Sequence, residues 1–105
     1  NPICCAGAIS ILSRITDELL DEVNEKSEYI ISRLSQCKNV KSVSGKGLML
    51  GIECTKPAKA VIASAMEKGV LVLSAKTKVR LLPPLNIPFC LLEMAIDKLI
   101  EAIEE

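Results

Sequence analysis

Apolar residues recur at helical spacing through the first third of the chain. Asn1 and Pro2 are typical of a helix start, and a first helix is predicted from about residue 3 to residue 13. A second helix is predicted to begin at a Thr16 cap and to continue to about Gln36. Its apolar residues recur every three or four positions: Leu19, Leu20, Val23, Ile30, Ile31 and Leu34.

From Val40 the spacing of apolar residues changes to two, which indicates strands. Strands are predicted over 40–44 and 48–54, joined by a turn at 45–47. The second strand places four apolar side chains on one face: Leu48, Leu50, Ile52 and Cys54. The Gly-Lys-Gly of the turn could also indicate a phosphate loop, but it joins strand to strand and lacks the following helix, so a hairpin turn is favoured.

A third helix is predicted from Pro57 to a glycine cap at Gly69. Five of its residues should face inward: Ala58, Val61, Ile62, Ala65 and Met66. Strands over 70–73 and 79–82 follow, with a turn at 76–78 between them.

The double proline Pro83-Pro84 ends the last strand, because proline cannot donate to a sheet. Pro88 opens a final helix with one apolar stripe: Phe89, Leu92, Ala95, Ile96, Leu99, Ile100 and Ile103. The predicted fold is therefore α+β, a single domain over 1–105 with a small, mainly antiparallel sheet of three to four strands and helices on one face.

Charged residues on the helices are interpreted as solvent-facing. On the second helix, Glu22 and Lys26 are four residues apart and are predicted to form a pair on the solvent-exposed face. The small residues 4–8 of the first helix favour close packing against another segment, with a ligand-facing helix start as the alternative.

Composition excludes several classes of function. Thirteen basic and thirteen acidic residues cancel, and the aromatic residues are Tyr29 and Phe89 alone, so neither nucleic acid nor a membrane is an expected partner. No apolar run reaches the roughly 20 residues of a membrane span. The five cysteines have no metal-binding spacing and no histidine accompanies them, so no metal site is expected. They are interpreted as reduced thiols of a cytoplasmic protein.

One strand carries an unusual set of cations. Lys76, Lys78 and Arg80 alternate with Val79 and Leu81, so the cations should share one sheet face. One explanation is structural: charge protects an exposed edge strand, or Arg80 pairs with Glu53. The other is an anion site in which the Arg80 guanidinium grips a carboxylate through two parallel hydrogen bonds.

Catalytic machinery is not visible in the sequence. No histidine can act as a base, and Lys46, Lys56, Lys59 and Lys68 fall in turns or on polar helix faces rather than in a desolvated pocket. We therefore predict no catalytic residue and no cofactor-binding residue in this chain.

Three segments resemble the class III, pyridoxal-phosphate-dependent aminotransferases. These are Asn-Pro-Ile-Cys-Cys-Ala-Gly-Ala at 1–8, Val-Ser-Gly-Lys-Gly-Leu-Met-Leu-Gly-Ile-Glu at 43–53, and Val-Arg-Leu-Leu-Pro-Pro-Leu at 79–85. Within that family the acetylornithine subgroup is most similar, and the ornithine subgroup is next. The family usually has Ala-Gly-x-x-Val before the last segment's arginine. This chain has Ala75-Lys76-Thr77-Lys78, without the glycine and one residue shorter, so a different turn is expected.

The resemblance implies a carboxy-terminal small domain of a fold-type I aminotransferase. It implies that pyridoxal 5'-phosphate is held by the large domain of the same polypeptide, that the full-length enzyme is a homodimer, and that this domain alone is inactive. Arg80 corresponds to the family arginine that binds the substrate α-carboxylate. The implied reaction moves an amino group from N-acetylornithine, a small-molecule amino donor, to the 2-oxo acid 2-oxoglutarate. A free-standing, non-catalytic module that binds an amino acid or another anion is the alternative.

Overall fold

The fold is described by a computed structural model that covers residues 1–105. Its elements are α1 (Pro2–Leu12), α2 (Asp17–Ser35), β1 (Val40–Lys46), β2 (Met49–Cys54), α3 (Ala58–Glu67), β3 (Leu73–Ala75), β4 (Lys78–Leu81) and α4 (Phe89–Glu104). The α+β prediction is confirmed. None of the four helices combines the length and the apolar character needed to cross a bilayer.

The four strands form one antiparallel sheet in the order β1-β2-β4-β3. The β1–β2 hairpin is tighter than predicted, because β1 continues through Lys46 and the turn is confined to residues 47 and 48. Gly45 is required there: its φ is +137°, and a Cβ at this position would overlap the Met49 carbonyl oxygen. The order places β4 inside the sheet, between β2 and the short edge strand β3.

One face of the sheet is covered by α2, α3 and α4, and the core lies between these layers. The predicted inward face of the hairpin is confirmed, since Leu48, Leu50, Ile52 and Cys54 are all buried. Helices and sheet together form one cluster of 18 buried residues. The opposite sheet face is not covered by any helix of this chain.

Helix α1 contributes nothing to this core. None of its residues is buried, and Ile3, Ile9, Ile11 and Leu12 are all more than half exposed. No segment of the described chain packs closely against its small residues, so the close packing predicted for them does not occur within these 105 residues.

The strand predicted at 70–73 is wrong in its position. The observed strand β3 begins only at Leu73, and Leu71 is 81% exposed. The physical reason is the cap of α3: Gly69 has a φ of +90°, and the Val70 amide donates to the Ala65 carbonyl at 2.9 Å. That bond uses the Val70 amide to end the helix, so residues 70–72 become a connection instead of a strand.

Two side chains do not lie where the periodicity placed them. Lys26 is buried at 5% exposure and forms no ion pair with Glu22, so the predicted solvent-facing pair is wrong. Met66 is 58% exposed, because α3 turns only Ala58, Val61 and Ala65 fully into the core.

Candidate anion-binding site

Arg80 lies on the uncovered face of an interior strand. Its neighbours Val79 and Leu81 point into the core at 0% and 7% exposure, while Arg80 itself is exposed. The alternation predicted from the sequence is therefore confirmed. The edge-protection explanation does not apply to Arg80, because the edges of the sheet are β1 and β3.

Pairing with Glu53 does not account for Arg80 either. In the register of the sheet, Arg80 lies opposite Gly51 of β2 and Leu73 of β3. Glu53 instead accepts a hydrogen bond from the Ser42 hydroxyl at 3.4 Å. The two ion pairs of the structure are Arg33–Asp97 and Lys68–Glu105, so the Arg80 guanidinium has no carboxylate partner in the chain.

Lys78 is the second cation on this face. Its side chain passes over Gly51, where a Cβ would lie 3.5 Å from Lys78 Cδ, and its Nζ donates to Ser44 Oγ at 3.3 Å. Lys76 does not join them, because it lies in the turn between β3 and β4. The sequence therefore placed two of the three cations correctly.

An apolar cavity of about 420 Å³ lies beside Arg80, which is its only charged lining residue. Its lining includes Leu73 and Leu82 together with core residues of α2, β4 and α4. The cavity exists because β4 ends at Leu81, after which the two prolines lead the chain away from the sheet. An arginine at the margin of an apolar cavity can bind an anion whose remaining part is uncharged.

The loop that follows the double proline is tied to α2. Lys26 Nζ donates to the Leu85 carbonyl oxygen at 3.2 Å. Three residues along α2, the ring of Tyr29 packs edge-on against Phe89 with ring centroids 5.1 Å apart. Sequence analysis missed this role of Lys26, since its partner lies 59 positions away and contributes only a main-chain carbonyl.

The cysteines divide into two groups. Cys37 and Cys54 are buried, and desolvation raises the pKa of each thiol. Cys4, Cys5 and Cys90 are exposed, and all five are free. No three acidic or thiol side chains come together as a metal-binding group.

Comparison with known proteins identifies the family. Residues 1–103 match the class III aminotransferases. The chain belongs to this family. It is 37% identical over 107 residues to an acetylornithine aminotransferase of Haemophilus ducreyi, covering 100% of this chain and 27% of that relative. It is 38% identical to the mitochondrial acetylornithine aminotransferase of Saccharomyces cerevisiae, covering 99% of this chain and 26% of the relative.

Solved structures agree on the fold. The ornithine aminotransferase of Toxoplasma gondii superposes with a TM-score of 0.86 at 24% identity, over 99% of this chain and 27% of that one. The N-acetylornithine aminotransferase of Stenotrophomonas maltophilia gives a TM-score of 0.80 at 24% identity, over 91% of this chain and 29% of that one. This class III aminotransferase chain thus spans about a quarter of the length of the relatives it matches.

Class III aminotransferases generally use pyridoxal phosphate, which is held by a lysine and stacks on an aromatic ring. The two aromatic rings, Tyr29 and Phe89, pack edge to face on each other. The one buried lysine, Lys26, donates to a main-chain carbonyl. Lys26 is therefore not free to form the Schiff base through which pyridoxal phosphate is bound.

Proposed function

We propose that this chain is the carboxy-terminal small domain of an acetylornithine aminotransferase. The full-length enzyme would transfer the amino group of N-acetylornithine to 2-oxoglutarate. The identity to acetylornithine aminotransferases along the whole chain supports this substrate, and the coverage of about a quarter of each relative supports a domain of a longer polypeptide. The enzyme would act in the cytoplasm, where the five free thiols remain reduced.

The observation that carries the proposal is the unpartnered guanidinium of Arg80. A cation on an interior strand, without an ion pair and beside an apolar cavity, has the chemistry needed to hold a substrate carboxylate. Two parallel N–H donors fix both the position and the orientation of that carboxylate. Arg80 would thus orient the amino donor and then the 2-oxo acid, while the cavity receives uncharged parts of the substrate.

The remaining parts of the active site would come from outside this chain. The large domain of the same polypeptide would hold pyridoxal 5'-phosphate, which acts as the electron sink for amino transfer when it is bound. The full-length protein would be a homodimer. The isolated domain would be inactive and would show no pyridoxal absorbance after incubation with the cofactor.

Substitution of Arg80 in the full-length enzyme tests the proposal. We expect Arg80→Ala to raise KM for the amino donors about tenfold or more, since hydrogen bonds to a charged group contribute roughly 1.5–3 kcal/mol. Arg80→Lys should restore only part of the loss, because a lysine cannot form the two parallel bonds. Steady-state kinetics with each substrate, together with the cofactor absorbance, provide the measurement.

Lys76→Ala is the matched control, because it removes a nearby cation that lies in the turn and away from the strand face. It should leave KM unchanged. Unchanged kinetics in Arg80→Ala with cofactor still bound would remove the carboxylate assignment. A native reading frame that starts near Asn1, rather than ~270–290 residues upstream as for an ordinary two-domain enzyme, would instead favour a free-standing anion-binding module.

A further inference from the structure

Lys26 is the only buried charged residue of the chain, with an exposure of 5%. Burying an ammonium group is unfavourable unless the group is paired or hydrogen-bonded. Glu22 and Glu25 line a neighbouring polar cavity together with Lys26, but neither forms an ion pair with it. The ammonium group of Lys26 donates a hydrogen bond to the Leu85 carbonyl oxygen at 3.2 Å.

The segment that Lys26 holds is a wall of the cavity beside Arg80. Residues 82–88 connect β4 to α4, and the cavity is lined there by Leu82, Pro83, Pro84 and Ile87. Within this segment the prolines donate no backbone hydrogen bonds, and the Ile87 amide closes a turn on the Pro84 carbonyl at 3.1 Å. The hydrogen bond from Lys26 therefore links the turn at residues 84–87 to helix α2.

Further contacts along α2 extend the attachment. Tyr29 packs on Phe89 at the start of α4, and Arg33 donates both to the Tyr29 hydroxyl at 2.7 Å and to Asp97 at 2.6 Å. Lys26, Tyr29 and Arg33 are three and four residues apart, so they lie on one side of α2. This side of α2 contacts first the Leu85 loop and then α4.

We propose that Lys26 is a positioning residue for substrate binding. Its part-buried ammonium donates to the Leu85 carbonyl and so fixes the loop that lines the cavity beside Arg80. The inference rests on the proposed function, because it takes this cavity as the place where the substrate binds. It gives a function to a charged residue that is buried without forming an ion pair.

The test is Lys26→Met in the full-length enzyme. Methionine fills a similar volume without a charge, so the helix layer should stay packed while the Leu85 carbonyl loses its donor. We expect KM for the amino donor to rise about three- to tenfold, with kcat within about twofold, as for the loss of one charged hydrogen bond. Hydrogen exchange should accelerate at the amides of Leu82, Leu85 and Ile87, while the melting temperature is unchanged or higher.

Lys26→Arg keeps a buried donor and should bring KM and the exchange rates back toward the parent values. Lys59→Met makes the same chemical change on the exposed surface of α3 and should alter none of these quantities. A Lys26→Met enzyme with parental KM and parental exchange at the loop would overturn the proposal. So would a loss of thermal stability with KM unchanged, because Lys26 would then serve the fold alone.

Failure of this inference differs from failure of the proposed function. If Arg80→Ala leaves KM unchanged, the carboxylate assignment falls whatever Lys26 does. If Arg80→Ala raises KM but Lys26→Met does not, the carboxylate site stands and the positioning role is removed.

Discussion

The backbone of Lys76 lies in the left-handed region, with a φ of +57°, and it is the only residue other than glycine with a positive φ. This conformation brings the side-chain Cβ close to the backbone and costs roughly 1–2 kcal/mol for most residues. Lys76 lies in the two-residue turn between β3 and β4. The turn therefore takes a left-handed backbone conformation without a glycine.

Lys76→Gly should stabilise the chain by about 1 kcal/mol, because glycine adopts a positive φ without a steric cost. Lys76→Ala serves as the control, since it removes the charge and retains the strained backbone; its unfolding free energy should stay within about 0.5 kcal/mol of the parent. Urea unfolding measures both. If alanine stabilises as much as glycine does, charge repulsion rather than the backbone conformation explains the effect.

Whether a side chain on a helix or strand is buried or exposed could be predicted from the sequence when its burial followed the spacing of apolar residues in that element. Arg80 is an example, because alternation along a strand decides which face a side chain takes. Lys26 was not predictable in this way. Helical periodicity assigns a lysine to solvent, whereas the actual environment of Lys26 depends on a loop that returns to α2 from 59 positions along the chain.

At the scale of elements, helix α3 shows where a pattern is informative and where it is incomplete. Its start after Pro57 and its glycine cap were predicted correctly, because both depend on local backbone chemistry. Its buried face is narrower than predicted: Val61 is fully buried, while Met66 at its end is 58% exposed. The width of a buried stripe depends on what packs against the helix, which no local pattern contains.

The two residues make a matched pair on one helix. Val61→Ala should destabilise the chain by about 2 kcal/mol, from two lost methyl groups and the space they leave. Met66→Ala should change the unfolding free energy by less than about 0.5 kcal/mol, because its side chain already contacts water. Chemical denaturation of both variants measures the difference; equal losses would show that Met66 is as well packed as Val61.

At the scale of the whole molecule, the sequence predicted the composition of the layers but not the order of the strands. Neighbouring strands β3 and β4 pair locally, whereas the position of β4 between β2 and β3 depends on contacts across α3. That order determines the interpretation of Arg80, since an interior strand has no edge to protect. Uncovered apolar surface is the other whole-molecule feature: α1 exposes Ile3, Ile9, Ile11 and Leu12.

The reactivity of the cysteines measures which parts of the chain are exposed, including α1. In the 105-residue chain, Cys4, Cys5 and Cys90 should react quickly with iodoacetamide, while Cys37 and Cys54 should react only after unfolding, because burial limits access and raises the pKa of both thiols. Mass spectrometry of the native chain should therefore show three rapid adducts.

In the full-length enzyme of our proposal, the large domain would cover α1. Cys4 and Cys5 should then be protected from iodoacetamide, and Cys37 and Cys54 should stay protected. Rapid labelling of Cys4 and Cys5 in both proteins would contradict the covering of α1, and rapid labelling of Cys54 in the native chain would contradict its burial in the core.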